Sequence, residues 1–222
     1  MKLINYEIRT ITLAGVNCYL IKVANGYIMI DTGLPKKRAE IEQELESSGC
    51  KPKGLRLIVL THGDYDHAGN AAYLRDTYGG KIALHADETV KVERGDWSWG
   101  SKPRPDRFLF LFRVVSKFIK PGPFDVFKPD IVTGDGQCFS GYGFDATVID
   151  LPGHTKGSIG VLTNRGDLFC GDLLDNMRKP RLEFFIDDLN AANASIERLK
   201  KLNVKTVYPG HGKPFLMSAF IK

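Results

Sequence analysis

"THGDYDHAGN", residues 61–70, is the stretch from which the chain is read. It packs His62, Asp64, Asp66 and His67 into six residues, directly after the apolar run "LRLIVL" at 55–60. A short run with no polar alternation is the pattern of a strand buried on both faces. Its C-terminal end therefore delivers a polar loop. Histidine and aspartate both ligate metal ions, and both take part in acid–base chemistry.

The other histidines repeat the setting. The chain has five: His62, His67, His85, His154 and His211. His154 lies in "LPGHTKGS" and His211 in "YPGHGKP", each a glycine-bearing turn after a strand-like run. "FCGDLLD" presents Asp172 in the same way. Strand ends held by a rigid sheet aim ligands well, and glycine lets the backbone turn sharply beside an ion. A two-metal hydrolytic site needs about three protein ligands per ion and an open position for water. His62, Asp64 and His154 could form one set, Asp66, His67 and His211 the other, with Asp172 bridging. His85 is left over and reads as structural.

The rest of the chain fits an enzyme of ordinary composition. Of 222 residues, 43% are apolar and 26% charged, so a buried core is available. A net charge of +5 serves solubility, and no basic run is dense enough for nucleic acid. No apolar run approaches the ~18 residues of a membrane span. The N-terminus alternates like a strand and lacks a signal peptide's apolar core, so a cytoplasmic location is expected. Cys18, Cys50, Cys138 and Cys170 are scattered without a C-x-x-C, which predicts reduced thiols.

Strands are expected at 3–13, 16–23, 26–33, 55–61, 81–85, 130–140, 144–151, 159–163, 167–172 and 204–212. Helices are expected at 36–48, 69–80, about 105–119 and 187–202. Strands first, then strands mixed with helices, argue for an α/β or α+β layered domain. The pattern breaks between about 88 and 128, a stretch that holds both tryptophans.

Together these motifs resemble the metallo-β-lactamase-fold hydrolases, and most closely their glyoxalase-II-like branch. The resemblance runs through "IDTG" (30–33), "LTHGDYDHAGN" (60–70), "KIALHADE" (81–88), "LPGHTKGSIGVL" (151–162), "LFCGDLL" (168–174) and "VYPGHGKP" (207–214). It implies a four-layer αββα sandwich over a single domain, 1–222, with an aromatic-rich insertion at 88–128. It implies ligand roles for His62, Asp66, His67, His154, Asp172 and His211. It also matches Asp31 to an aspartate that supports the ligands from behind. The expected function is metal-dependent hydrolysis of a thioester, ester or lactone by a metal-bound hydroxide, with Asp66 or Asp172 orienting the nucleophile.

Asp64 departs from the usual H-x-H-x-D-H. It could be a ligand, since an aspartate oxygen and histidine Nδ1 are both three bonds from Cα. It could also point away and leave the first set weak, or mark a non-catalytic metal-binding relative. As a ligand it would make the centre one charge less positive than histidine would. Two divalent ions are expected, zinc first, with manganese or iron admitted by the extra carboxylate. Similar acidic replacements occur in flavodiiron proteins, which keeps a di-iron redox protein open, and a phosphodiesterase is a further alternative. The partner is a small-molecule substrate. The 88–128 insertion could be a lid, a membrane-contact element or a homodimer interface. "NMRKPR" (176–181) could lend cations to an anionic substrate.

Overall fold

A computed structural model describes residues 6–95 and 124–221. Its first sheet has the order β1-β2-β3-β4-β5-β6: Glu7–Leu13, Val16–Val23, Gly26–Ile30, Leu55–Val59, Lys81–His85 and Ile131–Thr133. β1 to β3 run antiparallel through tight turns, and β3 to β6 run parallel. Parallel neighbours need crossovers. These contain α1 (Arg38–Ser47), α2 and α3 (Tyr65–Ala68 and Ala71–Tyr78), and α4 (Ala86–Arg94).

The second sheet has the order β13-β12-β9-β8-β7: Phe215–Leu216, Thr206–Pro209, Asp167–Gly171, Ile159–Thr163 and Ala146–Asp150. A small ribbon, β10 (Leu174–Asp175) and β11 (Arg181–Leu182), follows β9. α5 (Leu189–Lys200) and α6 (Met217–Phe220) complete the described α-helices.

Period-two alternation distributes the core among the layers. In β2, Tyr19, Ile21 and Val23 face the second sheet, while Cys18 and Leu20 face the helices. β3 repeats this with Ile28 and Ile30 against Tyr27 and Met29. The second sheet answers with Val148, Val161 and Phe169 on the inner face and with Ile149, Leu168 and Val207 toward α5. Three apolar clusters between four layers make the expected αββα sandwich.

β2, β5 and β8 match their expected spans and most other expected elements recur with shorter ends, 130–140 reducing to the three residues of β6. The first residues of the expected 88–128 insertion form a helix. Residues 88–94 belong to α4, where Glu88 and Val92 are buried. At the far side, Phe127 packs into the helix-facing core, and its N–H donates to the Val92 carbonyl at 3.3 Å. α4 escaped notice because its charged face hides a one-stripe helix in a segment dominated by aromatics downstream. The expected helix at 105–119 lies outside the described residues.

Candidate metal centre

β4 and the second sheet's turns converge at one edge of the sandwich. β4 ends at Val59, and the loop behind it carries His62 and Asp64 into α2, which carries Asp66 and His67. The β7–β8 turn brings His154, the turn after β9 brings Asp172, and the turn after β12 brings His211. Thus the structure brings all seven sequence-selected residues together.

Asp172 is central. Its Oδ1 lies 3.3 Å from His67 Nε2, and its Oδ2 lies 3.2, 3.8 and 3.9 Å from the Nε2 atoms of His211, His154 and His62. Asp66 Oδ2 lies 3.6 Å from His211 Nε2 and 3.7 Å from His67 Nε2. Asp64 Oδ2 lies 3.2 Å from His154 Nε2 and 3.7 Å from His62 Nε2. Two groups have the compactness an ion requires: His62, His154 and Asp172, and Asp66, His67 and His211.

The backs of the rings are tied. His67 Nδ1–H donates to Asp31 Oδ2 at 2.9 Å. His62 Nδ1 is 3.0 Å from Thr61 Oγ1, which itself donates to Asp31 Oδ2 at 2.8 Å. His154 Nδ1–H donates to the Phe185 carbonyl at 2.5 Å, and His211 Nδ1–H to the Gly15 carbonyl at 2.9 Å. A proton held on Nδ1 leaves a lone pair on Nε2. All four Nε2 atoms therefore face one another, each free to take either a proton or an ion. His62 Nε2, His67 Nε2 and Asp172 Oδ1 are buried with no hydrogen-bond partner among the described residues. Buried polar atoms without partners are costly, and divalent ions between them would satisfy all three. The donor set fits the metal ions the fold implies.

Electrostatics point the same way. Burial and the neighbouring His67 hold His62 well below its ordinary pKa. Burial opposes the charged form of His154 and His211 as well, but Asp64 and Asp172 overcome it at His154, and Asp172 at His211, raising both to about 9. Asp172 stays well below the usual carboxylate range despite its burial, through His67 and His211. The acids of this cluster thus draw positive charge onto it. Protons or metal ions can supply that charge, and the two compete.

Asp31 has a left-handed backbone, φ 56°, which aspartate tolerates better than most side chains. Its Oδ1 accepts from the Thr61 N–H at 2.8 Å, so one carboxylate steadies both His62 and His67. Gly210 must lack a side chain: a Cβ there would strike Asp172 and come within 2.7 Å of His67 Cε1. His85 stays outside the cluster, where its Nδ1 accepts from the Asp87 N–H and caps α4. Of the "NMRKPR" cations, Arg181 is engaged, since its Nε donates to Asp175 Oδ2 at 2.7 Å.

Two residues of the site were missed in sequence. Glu88 is buried, and its carboxylate accepts from the N–H of Gly63 at 2.9 Å and of Gly157 at 3.2 Å. Lys91 donates to Asp64 Oδ1. No local signal marked either, because both act through contacts with loops distant in sequence.

A family model described as the metallo-beta-lactamase superfamily matches residues 11–211. Hydroxyacylglutathione hydrolase GloC of Haemophilus influenzae is 30% identical over 216 residues, covering 94% of this chain and 91% of its own. Acyl-coenzyme A thioesterase MBLAC2 of Bos taurus is 28% identical over 228 residues, covering 90% of this chain and 74% of its own. The crystal structure of TTHA1623 in a di-iron-bound form superposes with a TM-score of 0.70 at 25% identity, covering 96% of this chain and 97% of that one.

Proposed function

The chain belongs to the metallo-beta-lactamase superfamily and is a metal-dependent hydrolase, and from that premise we propose that it cleaves thioesters at a centre of two divalent ions. The observation that carries the metal centre is the set of four back-tied histidines whose Nε2 atoms converge on Asp172. The substrate class is supported by the two curated relatives, one named for hydroxyacylglutathione and one for acyl-coenzyme A. Both compounds join an acyl group to sulfur.

His62, Asp64, His154 and Asp172 would hold one ion, and Asp66, His67, His211 and Asp172 the other. Zinc suits the four imidazoles, while three carboxylates also suit iron or manganese. The ions supply Lewis acidity toward the thioester carbonyl and toward water. Asp172, buried and held anionic, lies between the two sets and would be shared by the ions they hold. Asp66 is partly exposed, so it can receive a proton from the attacking water and pass it to solvent. Gly210 keeps the floor beside Asp172 clear of side-chain atoms.

The test is metal analysis of protein purified without added metal, paired with turnover of a glutathione thioester, an acyl-coenzyme A, a lactone and a phosphodiester. Two ions with thioester turnover are expected, and both should be lost in His154→Ala and Asp172→Ala. Turnover confined to the lactone or phosphodiester would refute the substrate class. Wild-type metal content in both variants would refute the site.

A further inference from the structure

α4 carries none of the seven residues that face one another in the cluster, yet two of its side chains end beside it. Glu88 bonds the N–H of Gly63, between His62 and Asp64, and the N–H of Gly157, just beyond His154. One buried carboxylate thus ties a turn of the first sheet to a turn of the second. One helical turn on, Lys91 donates to Asp64 Oδ1. The other oxygen, Oδ2, faces His154 and His62. The Asp64 carboxylate is therefore divided, one oxygen held by a cation and one presented to the cluster.

We propose that Lys91 acts on the metal centre through Asp64, by cancelling its charge so that the pair serves as a neutral ligand in place of histidine. The proposal rests on the two-ion reading above. It corrects the charge expected from sequence. Asp64 alone makes the first set one unit less positive, but Lys91 restores that unit from a different element. Glu88 and Asp187 also act on Lys91. Removing the ammonium would therefore leave three carboxylates around the first set without their cation. Asp64 would gain a second free oxygen.

The consequence is opposite in sign for a charge role and for a bracing role. If Lys91 only holds Asp64 in place, its loss weakens metal binding. If it cancels charge, its loss strengthens binding. Metal-free wild type, Lys91→Met, Lys91→Gln and Lys91→Arg would be titrated with zinc and with manganese against a chromophoric chelator at constant pH. Thermal melts of the metal-free proteins would check folding. Wild type is expected to bind two zinc equivalents. Lys91→Met is expected to bind one of them more tightly, on the order of tenfold for one unit charge in a partly solvated site, and to gain more for manganese than for zinc. Lys91→Gln can still donate to Asp64, so it should follow Met, whereas Lys91→Arg should follow wild type. The double variant Asp64→His/Lys91→Met should return to wild-type affinity.

Unchanged or weaker binding in Lys91→Met and Lys91→Gln, beside a wild type that takes two ions, overturns this proposal alone. A wild type that takes up no ion overturns the metal-centre reading and this proposal with it.

Discussion

Replacing Asp31 by Asn exchanges one carboxylate oxygen for an NH2 group and should dismantle half of the centre. Asparagine tolerates the left-handed backbone at this position, so the turn itself should survive. The amide oxygen can keep the bond from the Thr61 N–H, now 2.8 Å from Oδ1. The amide NH2 must then replace Oδ2, which accepts from both His67 Nδ1 and Thr61 Oγ1. A donor at that place drives the His67 proton from Nδ1 to Nε2, the atom that faces Asp172. A protonated Nε2 cannot bind an ion. Loss of such an outer partner costs about 10–100-fold in metal affinity, or roughly 1.4–2.7 kcal/mol. Losing bonds to a buried carboxylate should also cost the metal-free fold about 1.5–3 kcal/mol. The assays are metal stoichiometry with chelator competition, urea denaturation of the metal-free protein, and nitrogen NMR of the histidine tautomers. Two ions bound within twofold of wild-type affinity, with His67 still protonated on Nδ1, would refute the reasoning.

Three further outcomes follow from the same geometry. Gly210→Ala should lose metal at the Asp66, His67 and His211 set, because the methyl would displace Asp172 and His67; full metal content by elemental analysis would contradict the packing. Metal-free protein should lose stability as pH rises from about 6.5 to about 9. His154 and His211 are raised to about 9 in the fold, so their contribution is complete below the unfolded value and disappears above the folded one, up to ~3 kcal/mol for each. Urea midpoints across that range would check it, and a flat profile would count against the proton-loaded cluster. Tyr6→Phe removes the hydroxyl that donates to Asp167 Oδ2 at 2.6 Å and sits 2.7 Å from Thr163 Oγ1. It should cost about 1–3 kcal/mol while leaving metal content and turnover unchanged.

The layered fold was legible because its central strands are apolar on both faces and its turns carry glycine. β2 and β5 match their expected spans, 16–23 and 81–85, to the residue. The seven clustered residues were legible because each lies in a glycine-bearing connection that follows a strand. α4 was not. Its buried positions, Glu88 and Val92, include a charged residue, so a hydrophobic pattern could not mark the inner face. Lys91 was hidden for a related reason. A lysine 27 residues from Asp64 has no local signature of pairing with it, since the contact exists only once α4 has crossed over the loop behind β4. The charge of a metal centre is a tertiary quantity, and motif residues alone understate it.

The ligand turns come from both sheets, and that arrangement bears on how the protein matures. His67 stands after the fourth strand, while His211, its neighbour in the cluster, stands after the twelfth. Nearly the whole chain must be made and collapsed before the two meet, and long-range closures of this kind are slow. An early fragment would hold His62, Asp64, Asp66 and His67 without their counterparts. Tight metal capture is thus a late event that reports docking of the two halves. Chelation should loosen that docking before it melts either sheet, which makes the ion a latch on the sandwich as well as a reagent within it.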